Sequence, residues 1–435
     1  MDHNVINHNL SLGETNIPGL FPHLDQLSSS PYVFNIDFGL NHLPEDPGVL
    51  MIRGPRQYGK STWLEGALKK SVETFGPGTA FYLNGDLLLT VDRLEQAISD
   101  LLPAYSSNSN IKRLFIDEIT AIPTWELAIK RLADQGKIQD ILIITTGSNA
   151  SDLRRGSERL PGRKGKLDRT HYWFTPISYA EFHRVCSSKL KDKTWIAYLL
   201  SGGSPLACSE LAEHGVIREY VLQMTRDWIE GELIKTGRSR ISLNNILMTL
   251  FRFAGTPVGQ AKLAREAALS NNTIAANYVE LLNDLGIISP CYQWDPHKNL
   301  IILRKPCKFH FTNLLVAIAY HPAQIRSIAE FENLDSKEQG PWIEWLVSQE
   351  LLRQSAIRGE EILAPQKFYQ DDSCEIDFVK DTKNYIEVKR GQSSIFEYAW
   401  FTKKFPGCFL QIINTQKFNS ASISGVLLED FLGLA

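Results

Sequence analysis

The stretch "GVLMIRGPRQYGKSTWL", residues 48–64, decides the fold of the first half of this chain. The apolar run at 49–52 reads as a buried strand and stops at glycine. A helix then begins, with Leu64, Leu68, Val72 and Phe75 recurring at helical spacing until "GPG" ends it. Between strand and helix lies G-x-x-x-x-G-K-S. Gly54 and Gly59 let backbone N–H groups curl around phosphates at a helix N-terminus, where the helix dipole favours anions. Gly54, Pro55, Arg56, Gln57, Tyr58, Gly59, Lys60, Ser61 and Thr62 are therefore expected to cradle a triphosphate. Lys60 would reach the β- and γ-phosphates and Ser61 would hold magnesium, so ATP and Mg2+ are the expected cofactors.

A partner strand follows in "IKRLFIDEIT". Leu114, Phe115 and Ile116 read as a buried parallel strand that delivers Asp117 and Glu118 to its end. Asp117 suits the magnesium shell, and Glu118 is placed to polarise an attacking water. The next strand, "ILIITTGSN", ends in Thr146, Ser148 and Asn149, which are placed to hydrogen-bond a γ-phosphate or that water. With "TAFYLNG" and helices near 91–102 and 124–135, the order alternates β and α. This predicts an α/β domain, a parallel sheet with helices on both faces. The loop "LRRGSERLPGRKGKLDR" then carries Arg154, Arg155, Arg159, Arg163, Lys164, Lys166 and Arg169. An arginine that reaches nucleotide, a contact to phosphate backbone and a solvated loop are all compatible with it.

The middle of the chain turns helical, with a long amphipathic segment near 219–234 and three helices over 242–286. The turn "SNN", with Asn271 or Asn272 as N-cap, has the form of a helix-turn-helix, and residues 289–306 follow as a β-wing turning at 295–299. The second helix of that pair offers Asn271, Asn272, Thr273 and Asn277 but no lysine or arginine before Leu285, whereas the wing offers Lys298, Arg304, Lys305 and Lys308. DNA binding and domain packing both remain open for this module.

Near the end, "EIDFVKDTKNYIEVKRG" (375–391) reads as two strands, 375–380 and 384–389. Side chains alternate along a strand, so Ile376 and Phe378 share one face while Glu375 and Asp377 share the other. Burying Ile376, Phe378, Ile386 and Val388 together requires 376 opposite 388 and 378 opposite 386. Asp377 then faces Glu387, with Lys389 two positions along. Facing carboxylates repel unless a cation lies between them, and magnesium is the expected one, with Lys389 stabilising hydroxide or developing phosphate charge. The alternatives are a decayed site that keeps its fold without the metal chemistry, or a hairpin whose acids are merely solvated.

Taken together, "RGPRQYGKST", "LFIDEI" with Trp125 beyond it, "TTGSNA", "PGR" at 161–163, "TPISYAEF" and "SGGSP" resemble the archaeal and bacterial AAA-like, STAND-related P-loop ATPases. The resemblance implies a winged helix and then a nuclease-like domain after the ATPase core, and it makes Arg163 the candidate γ-phosphate sensor. The D-x(n)-E-V-K arrangement of Asp377, Glu387 and Lys389 is similar to that of PD-(D/E)XK nucleases. By that likeness Glu344, on the helix "GPWIEWLVSQELLRQ", is a further metal-site acid. The proline usual before the first aspartate is absent, since Glu375 and Ile376 precede Asp377.

The expected organisation is a tail (1–30), an AAA-like P-loop ATPase domain (31–205), a helical linker and winged helix (206–335), and a restriction-endonuclease-like α/β domain (336–435). A chain of 435 residues is long enough for several such cores. At 43% apolar and 22% charged, with no run of about 18 uncharged apolar residues, no membrane partner is expected. The N-terminus lacks a basic start and an apolar signal core, and the six cysteines form no CxxC pair, which together fit the cytoplasm. A net charge of −3 gives no global pull towards DNA, so DNA contact would rest on local patches. The expected function is ATP hydrolysis coupled to metal-dependent DNA processing. The alternative is a STAND-type signalling or scaffold ATPase whose C-terminal domain binds DNA or a protein partner without cleavage, with self-association as a further candidate. A metabolic P-loop kinase is the third reading, and no substrate lid is evident for it.

Overall fold

Six consecutive buried residues, Gly48–Arg53, form β1. Around it lie β2 (Ala80–Asn84), β3 (Arg113–Asp117), β4 (Leu142–Gly147) and β5 (His171–Trp173), all parallel, in the order β2-β3-β4-β1-β5. Near-continuous apolar strands such as these require cover on both faces. One face packs Val49, Met51, Phe81, Leu83, Leu114 and Ile116 against Trp125, Ile129 and Leu132. The computed structural model describes residues 3–147, 165–360 and 364–434. This sheet belongs to the first of two compact units, formed by residues 1–33, 37–175 and 356–360.

The first thirty residues, expected as a tail, contain the helices His3–Leu12 and Pro22–Ser28. Ile6 and Leu10, four apart and both buried, form the stripe that seats the first of them. Between them, the Asn7 side chain donates to the Tyr82 carbonyl and accepts from the Tyr82 N–H, each at 2.8 Å. Because β2 is an edge strand, one amide side chain satisfies its backbone there as a neighbouring strand would.

The second unit comprises residues 34–36, 176–355 and 361–435. The expected ATPase boundary at 205 therefore differs from the observed one. Helices Tyr179–Leu190 and Thr194–Ser201 bury Phe182, Cys186, Ile196 and Tyr198 within this unit, and the Tyr179 hydroxyl meets Thr194 at 2.7 Å and also reaches Glu429. Helices Arg240–Arg252, Gln260–Glu266 and Asn272–Asp284 follow, the last capped by the Asn271 side chain, which accepts from the Ile274 N–H at 2.9 Å.

Next come β6 (Ile288–Asp295) and β7 (Leu300–Ile301), which pair as a hairpin, then β8 (Lys308–Phe311), antiparallel to β6. A later strand, β9 (Gln366–Gln370), runs parallel to β6, so strand pairing crosses residue 335, where a domain boundary was expected. The strands β10 (Glu375–Ile376), β11 (Phe378–Val379), β12 (Asn384–Val388), β13 (Phe409–Asn414), β14 (Phe418–Asn419) and β15 (Ile423–Leu427) complete the unit. They build a sheet ordered β11-β12-β13-β15-β14, with β10 joined to β9 instead.

Phe378 lies opposite Ile386, as the hydrophobic pattern requires, but Ile376 pairs with Tyr369 of β9 rather than with Val388. The expected continuous strand 375–380 breaks at Asp377. The cause is that apolar residues are buried on both faces: Ile376, Val379 and Tyr385 enter one core with Phe401 and Leu410, while Phe378 and Ile386 enter another with Val347 and Ile413. One greasy face was assumed; there are two.

Candidate functional site

The phosphate cradle follows from two glycines. A Cβ on Gly54 would stand 2.7 Å from the Phe174 carbonyl oxygen, so only glycine lets β1 end this close to the chain beyond β5. Gly59 has φ 97, a left-handed turn, and starts the helix Lys60–Phe75, with Gln57 at φ 63 inside the loop. The N–H groups of this sixteen-residue helix's first turn lie where an anion binds well. Pro55 and Tyr58 are buried, Arg56 and Gln57 are exposed, and Ser61 and Thr62 are half-buried.

Lys60 is 5% exposed, and its ammonium donates to the carbonyls of Gly54 (2.9 Å) and Pro55 (2.7 Å). Burial pushes its pKa down, against the opposing charges of Glu118 and Asp117. Burial raises the Asp117 pKa, opposed by hydrogen bonds from the Thr146 and Ser61 hydroxyls. A loop lysine and a strand-end carboxylate that are both poorly solvated fit a site that receives a phosphate group and its cation. Ser61 and Asp117 are the residues that would hold magnesium.

Glu118 follows Asp117 at φ 46, left-handed for a residue with a Cβ, and its N–H donates to the Thr146 hydroxyl at 3.0 Å. The same hydroxyl donates to Asp117. Thr146, expected as a γ-phosphate contact, is thus fully buried and fixes the end of β3 instead. The other expected sensors, Ser148, Asn149 and Arg163, lie outside the described residues. Arg169, from the basic loop, donates to the carbonyls of Ala356 (2.5 Å) and Ile357 (3.1 Å) and lies over the Tyr172 ring, so it is a structural fixture.

In the second unit, the bend at Asp377 and the strand β12 bring the predicted acids together. The Asp377 N–H donates to Glu387 at 3.3 Å, the Val388 N–H donates to Asp377 at 2.9 Å, and Lys389 pairs with Glu387 at 2.7 Å. The cation at the centre was not foreseen. Lys308, expected on a basic wing, is 1% exposed, and its ammonium lies 2.6 Å from Glu375, 3.0 Å from Asp377 and 3.1 Å from Glu344. His310, on the same face of β8 and fully buried, joins Glu344 at 2.9 Å and Gln366 at 3.0 Å. Lys308, His310 and Glu375 are the residues that sequence reasoning missed. The alternation "KFHF" held the signal, because two buried polar residues two apart on a strand must find partners on one face.

Burial disfavours the Lys308 ammonium, but Asp377, Glu344 and Glu375 outweigh it and hold its pKa well above the ordinary lysine value. Glu344, buried yet bonded to Lys308 and His310, is held below the usual carboxylate range. Asp377 is raised by burial and by the Glu344 charge. Glu387 is raised to about 8, by burial first and the Asp377 charge second, against Lys389.

Glu387 therefore keeps a proton in the folded chain that it releases in the unfolded one between the ordinary carboxylate range and pH about 8. Its contribution is full below the ordinary pKa and is lost as pH rises through the folded pKa. The expected result is a urea midpoint that declines from pH 5 to 8, at no more than about 1.4 kcal/mol per pH unit. In Glu387→Gln the decline should flatten, and an equal decline in both proteins would contradict the assignment.

The P-loop, the acid-tipped third strand and the five-stranded parallel sheet together have the arrangement of a P-loop nucleotide-binding domain. Residues 46–183 match a family described as an AAA domain. Over 386 residues the chain is 23% identical to an uncharacterized protein of Methanocaldococcus jannaschii, covering 83% of this chain and 79% of that one. Among solved structures, the chain is similar to a Walker-type ATPase of Pyrococcus abyssi, at 13% identity, 69% and 94% coverage, and a TM-score of 0.43. It is also similar to the Aeropyrum pernix ORC1 protein, solved in complex with DNA, at 13% identity, 72% and 95% coverage, and a TM-score of 0.33. No helix among the described residues is long and apolar enough to cross a membrane.

Proposed function

We propose that this chain is an ATP-binding and hydrolysing AAA-like ATPase of the STAND-related kind. Its nucleotide state acts on a module that joins a winged helix to a PD-(D/E)XK-like fold, and that module binds DNA or a protein partner without cutting. One observation carries the ATPase reading: Lys60 and Ser61 at the start of a helix, and Asp117 and Glu118 at the end of a parallel strand, belong to one site linked by hydrogen bonds and charge. On binding triphosphate, Lys60 exchanges the Gly54 and Pro55 carbonyls for phosphate oxygens. Magnesium, when bound, offsets negative charge on the phosphates. Glu118, held by its backbone at Thr146, orients water and accepts its proton.

The winged-helix reading is supported by the order of three helices and a hairpin, and by the exposure of Lys298, Arg304 and Lys305 along that hairpin and just beyond it. Those exposed cations make DNA the favoured partner. The six free cysteines fit a cytoplasmic setting. In the test, the purified chain receives ATP and magnesium. Release of inorganic phosphate without a phosphorylated acceptor is expected; a phosphorylated product in place of phosphate would contradict the reading. A second reading, metal-dependent cleavage, is favoured by the closeness of Asp377, Glu387 and Lys389, and it requires plasmid nicking that Asp377→Ala removes.

A further inference from the structure

The acids of the nuclease-like segment do not offer a cation the vacancy that metal-dependent cleavage needs. Among the described residues, no group of three or more histidine, cysteine, aspartate or glutamate side chains is arranged to hold a metal ion. Glu344, Glu375 and Asp377 instead converge on one ammonium, at 3.1, 2.6 and 3.0 Å. An ammonium has three donors, and here each meets a carboxylate. A magnesium ion demands octahedral oxygens and retains several waters, for which this 1%-exposed position leaves no room.

We propose that Lys308 is a resident counter-ion that permanently takes the place of a divalent metal among Glu344, Glu375 and Asp377, making this centre a metal-independent clamp. The inference rests on reading the C-terminal segment as nuclease-like, and it explains how such a cluster persists without catalysis. Lys308 is held where it is by its strand: β8 pairs antiparallel with β6, setting Lys308 opposite Cys291, and the ammonium lies 5.5 Å from the centre of the Phe368 ring. Moving the ammonium out would mean leaving a 1%-exposed position and abandoning three carboxylates. The clamp also links residues far apart in sequence, since Lys308 and Asp377 are separated by 69 positions. The Glu387 carboxyl and the Lys389 ammonium meet beside it, at 2.7 Å.

The test is Mn2+ binding to the nucleotide-free full chain, read by electron paramagnetic resonance. Wild type, Asp377→Asn, Lys308→Ala and the double variant are compared; alanine removes the charge and vacates the space that the lysine fills. Wild type and Asp377→Asn should bind Mn2+ identically, because the acidic cluster takes none. Lys308→Ala should gain one site that Asp377→Asn removes. Mn2+ bound by wild type and lost in Asp377→Asn would overturn the counter-ion while leaving the nuclease-like reading intact. A folded Lys308→Ala that gains no site would overturn the claim that Lys308 stands in for a metal. If Lys308→Ala does not fold, the comparison of wild type with Asp377→Asn decides alone, with identical binding supporting the proposal and a lost site overturning it.

Discussion

Lys60→Ala is expected to lower ATP turnover by about 10²–10³-fold, the scale of removing one preorganised donor from a developing charge. The loss has two origins. The ammonium that would meet the phosphates disappears, and so does the group that donates to the Gly54 and Pro55 carbonyls, at 2.9 and 2.7 Å. The loop then loses its internal tie as well as its cation. Nucleotide affinity should fall with turnover. Glu118→Gln separates the two effects: its amide cannot take a proton from water, so hydrolysis should drop by about 10²–10⁴-fold while nucleotide binding stays near wild type. Phosphate release and a fluorescent-nucleotide titration, run on both variants, check the pair. Unchanged turnover in Lys60→Ala, or binding lost in Glu118→Gln, would place the chemistry elsewhere.

Lys308→Met should destabilise the chain by about 3–5 kcal/mol, the usual cost of deleting one partner from a buried ion cluster. Methionine is similar in volume, so the loss is electrostatic rather than a cavity effect. Glu344, Glu375 and Asp377 are left facing one another, with the His310 ring 2.9 Å from Glu344. Charged acids repel, whereas protonated ones do not. The deficit should therefore be larger at pH 8 than at pH 5, because acids stripped of a counter-ion have raised pKa values and accept protons as the pH falls. Urea unfolding at the two pH values reads this directly. An unchanged midpoint would mean that the cluster is solvated and the clamp contributes nothing.

The strand, loop and helix of residues 48–75 were largely legible from sequence because their geometry is local. A strand, two glycines, a lysine and a helix lie within a few residues of one another, and the backbone turns at Gly54 and Gly59 leave little freedom to the side chains. Thr146 shows the limit of that reasoning: a hydroxyl at a strand end fits a phosphate contact, yet its neighbour in space is the end of β3. The C-terminal hairpin was half legible. Alternation correctly paired Phe378 with Ile386, but it assumed one buried face, and the second core draws Ile376 to Tyr369. Lys308 was read as wing because charge near a turn normally points to solvent. Its burial follows from a parallel pairing of β6 with β9 that no local pattern announces. Likewise, a short stripe of Ile6, Asn7 and Leu10 was too brief to reveal that the first residues cover the edge of a sheet.

The central claim is that a chain which hydrolyses ATP also carries an acidic centre already filled by its own lysine. Its most direct measurement follows supercoiled plasmid and free phosphate in one tube containing wild-type chain, ATP and either magnesium or manganese. Phosphate should accumulate while the plasmid stays supercoiled. Nicked or linear plasmid that vanishes in Asp377→Ala would contradict the account.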